Sequence, residues 1–263
     1  VRNPLRRRRP RSPGLAAVAA LLLTSACGQD LVPGTYEGPL SATGKRGAAG
    51  HVVECTGPAE GGNNYPGAYD NGALSDDADE AIRTAFDEAL VFGARGGYVR
   101  VREDDGRALY TLTHDGGVRQ ALIVRDGQDG WYVESWARCD YSELPDEVAE
   151  EAGYEIWSDA DGRVSTRRVQ SYAGPAHCSW DDMTFLEIDE AEYVRAPEPD
   201  PHVATLLSGA YEAAVALPPD ARDTGFHRGE DHLWLSADGA WAFVGDGERV
   251  ERWPRAVGKL GCM

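Results

Sequence analysis

Between residues 76 and 92, apolar side chains recur every three or four positions: Ala78, Ala81, Ile82, Ala85, Phe86, Ala89 and Leu90. That period lines them up on one stripe of a helix. Ser75, Asp76, Asp77, Asp79 and Glu80 supply cap candidates and negative charge at the positive end of its dipole. The acidic cluster therefore reads as a helix start rather than a cation site. Gly93 stands where a left-handed C-cap would end the helix.

The pattern then changes to strand-like runs at 98–103, 108–114, 118–125 and 131–138. Asp105-Gly106, Asp115-Gly116-Gly117 and Asp126-Gly127 punctuate them, and these are hairpin-turn residues. A helix followed by such a meander predicts an α+β layer with the helix on one sheet face. Val52-Val53-Glu54 is expected to pair near the last of these strands and carry Cys55 toward Cys139. Beyond residue 145 the chain is β-dominated, with strands expected at 154–158, 164–171, 183–188 and 192–195. A hairpin across Ala237-Asp238-Gly239 and a last strand at 248–253 follow. Residues 203–216 fit helix and strand equally. In the expected strand 240–244, Trp241 and Phe243 share one face while Ala242 and Val244 share the other. The predicted fold class is α+β and β-rich: an α+β module over 51–145, then a β-rich module over 146–263.

Composition divides the chain into two unlike parts. It holds 26 Lys and Arg against 44 Asp and Glu, a net of −18. Six of the arginines lie in residues 1–27, where there is no acid; removing them from 26 leaves 20 basic against 44 acidic residues, or −24. Such a surface repels phosphate backbones and anionic headgroups, so no nucleic-acid partner is expected. The arginines precede the apolar run Leu15 to Leu23. Nine helical residues rise only about 13 Å, against a hydrocarbon core of about 30 Å. An export signal fits and a membrane span does not. The signal ends Leu23-Thr24-Ser25-Ala26-Cys27, like the lipobox at which a bacterial lipoprotein thiol is acylated. Thr24 departs from the aliphatic residue usual at its position. Cys27 is the expected lipid-attachment site, and the expected place is the extracytoplasmic side of the cell membrane. Residues 28–50, with six glycines, two prolines and no apolar period, read as a flexible tether.

Four further cysteines, Cys55, Cys139, Cys178 and Cys262, are an even number in an exported chain and predict two disulfides. Sequential pairing closes Cys55 to Cys139 and Cys178 to Cys262, each over 84 residues. The segments before Cys139 and Cys262 also run in one order. Gly97-Tyr98-Val99-Arg100 and Gly225-Phe226-His227-Arg228 precede a hairpin, and Val133-Glu134-Ser135-Trp136 and Val250-Glu251-Arg252-Trp253 follow it. The spacings differ by several residues, so coincidence in a β-rich chain is the simpler account.

Catalytic and metal motifs are sparse. Asp159-Ala160-Asp161-Gly162 begins like a calcium loop, but Arg163 and Gln170 fall on its later ligand positions. His227, Glu230, Asp231 and His232 are all possible zinc ligands. On a strand or turn, however, residues five apart are expected on opposite faces, and no H-E-x-x-H occurs. Ser179 lacks a nucleophile elbow, and Cys178 is better used in a bridge. No metal, cofactor or catalytic residue is predicted. Most of the seven tryptophans (131, 136, 157, 180, 234, 241 and 253) are expected in the core, with one or two lining a ligand cleft.

Several segments together carry a resemblance: Trp131 to Asp140, Gly174 to Trp180 with Thr184-Phe185-Leu186, and Asp223 to Phe226. Leu233-Trp234-Leu235, Val250 to Arg255 and Gly261-Cys262 complete it. On these the chain resembles a group of actinobacterial secreted lipoproteins over most of 51–263. The likeness implies export and disulfides and brings no mechanism with it. The functional expectation is a lipid-anchored, extracytoplasmic envelope protein that binds a ligand or partner without chemistry. The alternative is an envelope hydrolase built on dispersed carboxylates or on His227, Asp231 and His232; a purely structural wall-facing role is a third.

Overall fold

The described residues form three antiparallel sheets; a helix and an N-terminal segment cover the first, and the other two cover each other. The computed structural model describes residues 36–69 and 74–261, which belong to one compact unit, Val32–Met263. The expected signal, Cys27, the first part of the expected tether and Cys262 lie outside the described residues.

The first sheet has five strands: β1 (Glu60–Asn63), β2 (Val99–Asp104), β3 (Arg107–His114), β4 (Gly117–Gly127) and β5 (Gly130–Arg138), in the order β1-β5-β4-β3-β2. The meander follows the sequence expectation except at its last turn: Asp126 and Gly127 stay in β4, paired with Trp131 and Gly130, and the chain reverses at Gln128 and Asp129. Asp105 and Gly106 (φ 48° and 65°) and Asp115 and Gly116 (φ 49° and 75°) make its first two turns in the left-handed region that such hairpins need. Helix α1 (Ala78–Asp87) lies on one face. Ala81, Ile82, Ala85 and Phe86 pack there against Tyr110, Leu122, Val133 and Trp136. Asp77 caps it by accepting from the Glu80 N–H at 2.7 Å.

The helix stops short of the expected residue 92. Ala89 turns left-handed (φ 54°), the Leu90 N–H bonds the Ala85 carbonyl at 2.8 Å, and the Ala89 N–H bonds that of Phe86. This is a Schellman end formed on alanine, four residues before Gly93. Its gain is that Leu90 and Val91 turn back into the helix–sheet core.

Two expectations for the N-terminal region need correction. Residues 36–50 are not a free tether: Leu40, Ala48 and Ala49, with Val52, are buried on the opposite sheet face against Leu109, Ala121, Ile123 and Ala137. Their glycines concealed four apolar residues spaced too irregularly to show a period. The strand that pairs with β5 is 60–63, not 52–54. Glu54 instead meets the start of β4, where its N–H donates to the Val118 carbonyl at 2.8 Å. The Cys55–Cys139 disulfide forms as expected. The second expected bridge involves Cys262, outside the described residues.

Beyond residue 145, α2 (Asp146–Glu151) leads to β6 (Tyr154–Glu155), β7 (Ser158–Asp159), β8 (Gly162–Arg163) and β9 (Val169–Ala173). Then come β10 (Thr184–Ile188), β11 (Ala191–Arg195), α3 (Pro201–Thr205) and β12 (Glu212–Val215), so residues 203–216 hold both helix and strand. β13 (Arg222–Arg228), β14 (Asp231–Leu235), β15 (Trp241–Gly245) and β16 (Val250–Pro254) finish the chain. They form a four-stranded sheet, β11-β10-β9-β6, and a seven-stranded one, β12-β16-β15-β14-β13-β7-β8. The two share one core, in which Val169, Leu186, Ile188 and Tyr193 meet Phe226, Leu233, Ala242, Val244 and Trp253.

The first and last sheets repeat a topology. In each, a four-strand meander is joined at its final strand by the strand that precedes it in sequence: β1 on β5, and β12 on β16. The two V-E-x-W segments fall on β5 and β16, and the two G-aromatic-x-R segments at β2 and β13. The G-aromatic-x-R segments, however, sit at opposite ends of their strands, the start of β2 and the end of β13, so the shared strand order does not carry the sequence parallel with it.

Residues 138–141 join the parts. Arg138 pairs with Glu60, which also takes Arg167, and lies 3.8 Å over the Tyr141 ring. The buried Asp140 carboxylate accepts from the N–H groups of Ser142 (3.0 Å) and Thr166 (2.9 Å) and from the Ser165 (2.9 Å) and Thr166 (3.0 Å) hydroxyls. Burial alone would push this carboxyl up; the Thr166 and Ser142 bonds outweigh burial and hold it below the ordinary aspartate value. A depressed folded value stabilises the protein fully above the unfolded value near 3.9, and that contribution is lost as pH falls through the folded one. Asp140→Asn should therefore cost about 2–3 kcal/mol in urea unfolding at pH 7. Its difference from wild type should shrink below about pH 3.9. A pH-independent difference would disprove the role of the ionised carboxylate.

Candidate functional site

Strand alternation decides which side chains the two later sheets turn toward each other. Near one end of their shared core the inward positions become charged: Glu155, Arg195, Arg228, Asp231 and Glu251 line a cleft of about 440 Å³ beside Val244 and Trp253. Arg228 takes both Glu155 and Asp231 and lies 5.2 Å over the Trp157 ring. Glu251 accepts from Arg195 Nε at 3.1 Å and from the Trp253 indole N–H at 2.8 Å. These three carboxylates are thus held by guanidinium groups. Glu230 and Asp246 line the same cleft without an ion pair among the described residues, so the seam is only partly neutralised.

The opposite face of the seven-stranded sheet is aromatic. Trp241 and Phe243 share it as expected, while Ala242 and Val244 point into the core. Trp234 pairs with Phe243 and continues the row, and His232 lies beside it with ring centroids 5.6 Å apart. Here the sequence expectation for the histidines is wrong. The β13–β14 hairpin turns at Gly229 (φ 59°) and sets His227 directly opposite His232, so the rings stack with centroids 6.0 Å apart. Residues five apart on one strand diverge, but across a two-residue turn they face each other. Asp231, next to His232 in the strand, points into the charged cleft toward Arg228. The imidazoles therefore meet without their carboxylate. Among the described residues no group of three or more His, Cys, Asp or Glu converges as metal ligands.

One end of the aromatic face deepens into a pocket of about 350 Å³. Val215 and Pro218 form its apolar wall with Trp241 and Phe243, and Asp220, Ser236, Asp238 and Arg252 supply polar groups. Arg252 lies 4.3 Å over the Trp241 ring and pairs with Glu212. Asp238 shapes the β14–β15 turn: the Ser236 hydroxyl (2.6 Å) and the Ala240 N–H (3.0 Å) hold its carboxyl below the ordinary value.

The remaining sequence candidates take structural roles. Asp159 accepts from the Asp161 N–H at 2.9 Å in the β7–β8 turn. His177 and Cys178 lie in a 3-10 turn, and Ser179 follows it in the left-handed region at φ 59°. Sequence reasoning missed an acid pair. Glu187 and Glu192 face each other across β10 and β11, and the Tyr172 hydroxyl donates to Glu187 at 2.8 Å and to Glu192 at 3.3 Å. Their hairpin turns on Asp189 and Glu190, both left-handed (φ 48° and 66°), where no glycine or asparagine signals a turn. No known protein family, curated protein or solved structure matches the chain.

Burial, then the neighbouring Glu187 charge, raises the Glu192 carboxyl above the ordinary value. A raised folded value favours folding below the unfolded value near 4.3, and the benefit is lost as pH rises through the folded one. Glu192→Gln, which keeps an acceptor for Tyr172, should raise the melting temperature at pH 7 and leave it nearly unchanged at about pH 4. A loss of stability at pH 7 would contradict this assignment.

Proposed function

We propose that this chain is a lipid-anchored, extracytoplasmic envelope protein whose β-rich part binds a ligand and performs no chemistry. The observation that carries the reading is the pocket walled by Trp241, Phe243 and Pro218, an apolar cavity with a few convergent polar groups. The hydrolase alternative loses its most compact site, because Asp231 and the two histidines lie on opposite faces of one sheet.

Purified mature chain heated with fractionated envelope components should melt at a higher temperature with one fraction, because a ligand bound only to the folded state stabilises it. That shift should vanish in Trp241→Ala and leave the ligand chemically unchanged. A shift indifferent to Trp241, or cleavage of the added component, would refute non-catalytic binding at this pocket.

The anchor belongs to Cys27, on the argument of a basic segment, a short apolar run and small residues before the thiol. The partners are then the membrane, through that lipid, and an envelope ligand; an acidic exterior argues against nucleic acid. Cys27→Ala should move the protein from the membrane fraction to the soluble one, and unchanged retention would refute lipidation.

A second bridge, Cys178 to Cys262, completes the proposal. It is supported by the state of Cys178, whose sulfur is engaged in a disulfide rather than titrating as a thiol. A non-reducing peptide map should yield Cys55–Cys139 and Cys178–Cys262 peptides. Recovery of Cys262 as a free thiol would overturn the second bridge.

A further inference from the structure

Both faces of the five-stranded sheet are covered, one by α1 and the other by residues 40–52. Five strands of the seven-stranded sheet, β12-β16-β15-β14-β13, repeat that order; its inner face packs on the four-stranded sheet, and on its outer face Phe243 is buried. Its outer face keeps Trp234 and Trp241 half-buried and His232 exposed. At the deep end, the Trp241 ring is edged by the Asp220 carboxylate, the Ser236–Asp238 turn and the Arg252 guanidinium. Asp220 is exposed and has no ion pair among the described residues.

This lining selects by exclusion. An anion would meet two carboxylates and a strongly acidic chain. A cationic ligand would be repelled by the Arg252 guanidinium, which lies over part of the Trp241 ring at 4.3 Å. A wholly apolar ligand would desolvate Asp220 and Arg252 without replacing their bonds to water. What remains is a neutral molecule with an apolar C–H face to lie on a ring and hydroxyls at its edge to donate to carboxylates and accept from a guanidinium. We propose that the Trp241 pocket takes a neutral saccharide: its C–H face packs on the part of the half-buried Trp241 ring that Arg252 leaves open, and its hydroxyls bond Asp220, Asp238 and Arg252. This rests on the reading of the chain as a binding protein and names the class of ligand for the same pocket.

Purified mature chain is titrated with neutral tetramers of glucose and of N-acetylglucosamine, followed by tryptophan fluorescence and calorimetry. Saturable binding of at least one, in the range of about 10 μM to 1 mM, is expected. Trp241→Ala and Asp220→Asn should each weaken it about tenfold or more, about 1.4 kcal/mol. Glu230→Gln, in the charged cleft, should leave it unchanged. Asp220 is exposed, so its variant tests the pocket even if the loss of Trp241 perturbs folding. No binding of either tetramer at about 10 mM overturns the saccharide assignment. So does binding that neither variant weakens. If a Trp241-dependent thermal shift with another envelope component persists meanwhile, the binding reading stands and only the ligand class falls. If no such shift exists, both fall.

Discussion

The buried carboxylate of Asp140 is the contact on which the rest of the molecule depends. It leaves the last strand of the first sheet and gathers two backbone N–H groups and two hydroxyls from loops on either side. Its neighbours in sequence extend the junction. Cys139 is bridged to Cys55, Arg138 pairs with Glu60, and Tyr141 stacks near Tyr154 with centroids 4.6 Å apart. Four consecutive residues thus tie together an N-terminal segment, a five-stranded sheet and the start of the β-rich part. Buried charge is costly unless every lone pair is used, and a site so fully satisfied accepts few alternative geometries.

Much of the fold was legible where one periodicity held along an element. The meander and its first two turns could be read because Asp-Gly pairs announce left-handed turns there, whereas the third such pair, Asp126-Gly127, lies inside β4. The disulfide of Cys55 with Cys139 is one of the pairings that an even number of cysteines allowed, the one that joins them in sequence order. The packing of residues 40–52 was not legible, since its apolar residues are few, irregular and set among glycines. The end of α1 was misplaced for a related reason: burying Leu90 and Val91 outweighs the cost of a left-handed alanine, about 1–2 kcal/mol. Tertiary packing decided it.

The candidate site was half legible. The shared face of Trp241 and Phe243 is a matter of alternation and could be read from five residues. That this face ends in a pocket depends on residues 215–220 crossing it, a placement no local pattern announces. The histidines show the opposite error, a correct rule about one strand applied across a turn. The pairing of Glu187 with Glu192 hid behind a turn made without glycine. In each case the missing information was register, which is a property of two strands at once.

The packing of residues 36–52 on the first sheet also sets a mechanical limit. With the lipid proposed at Cys27, only residues 28–35 separate the anchor from the first residue seated on the fold. Eight residues reach at most about 29 Å, however they are arranged, where a 23-residue leash could extend to about 80 Å. The short leash would keep the domain skimming the bilayer, so its reach for ligands extends sideways along the membrane rather than outward from it. A receptor held this way samples a thin layer next to the lipid, and a polymer would have to come down to that layer to be met.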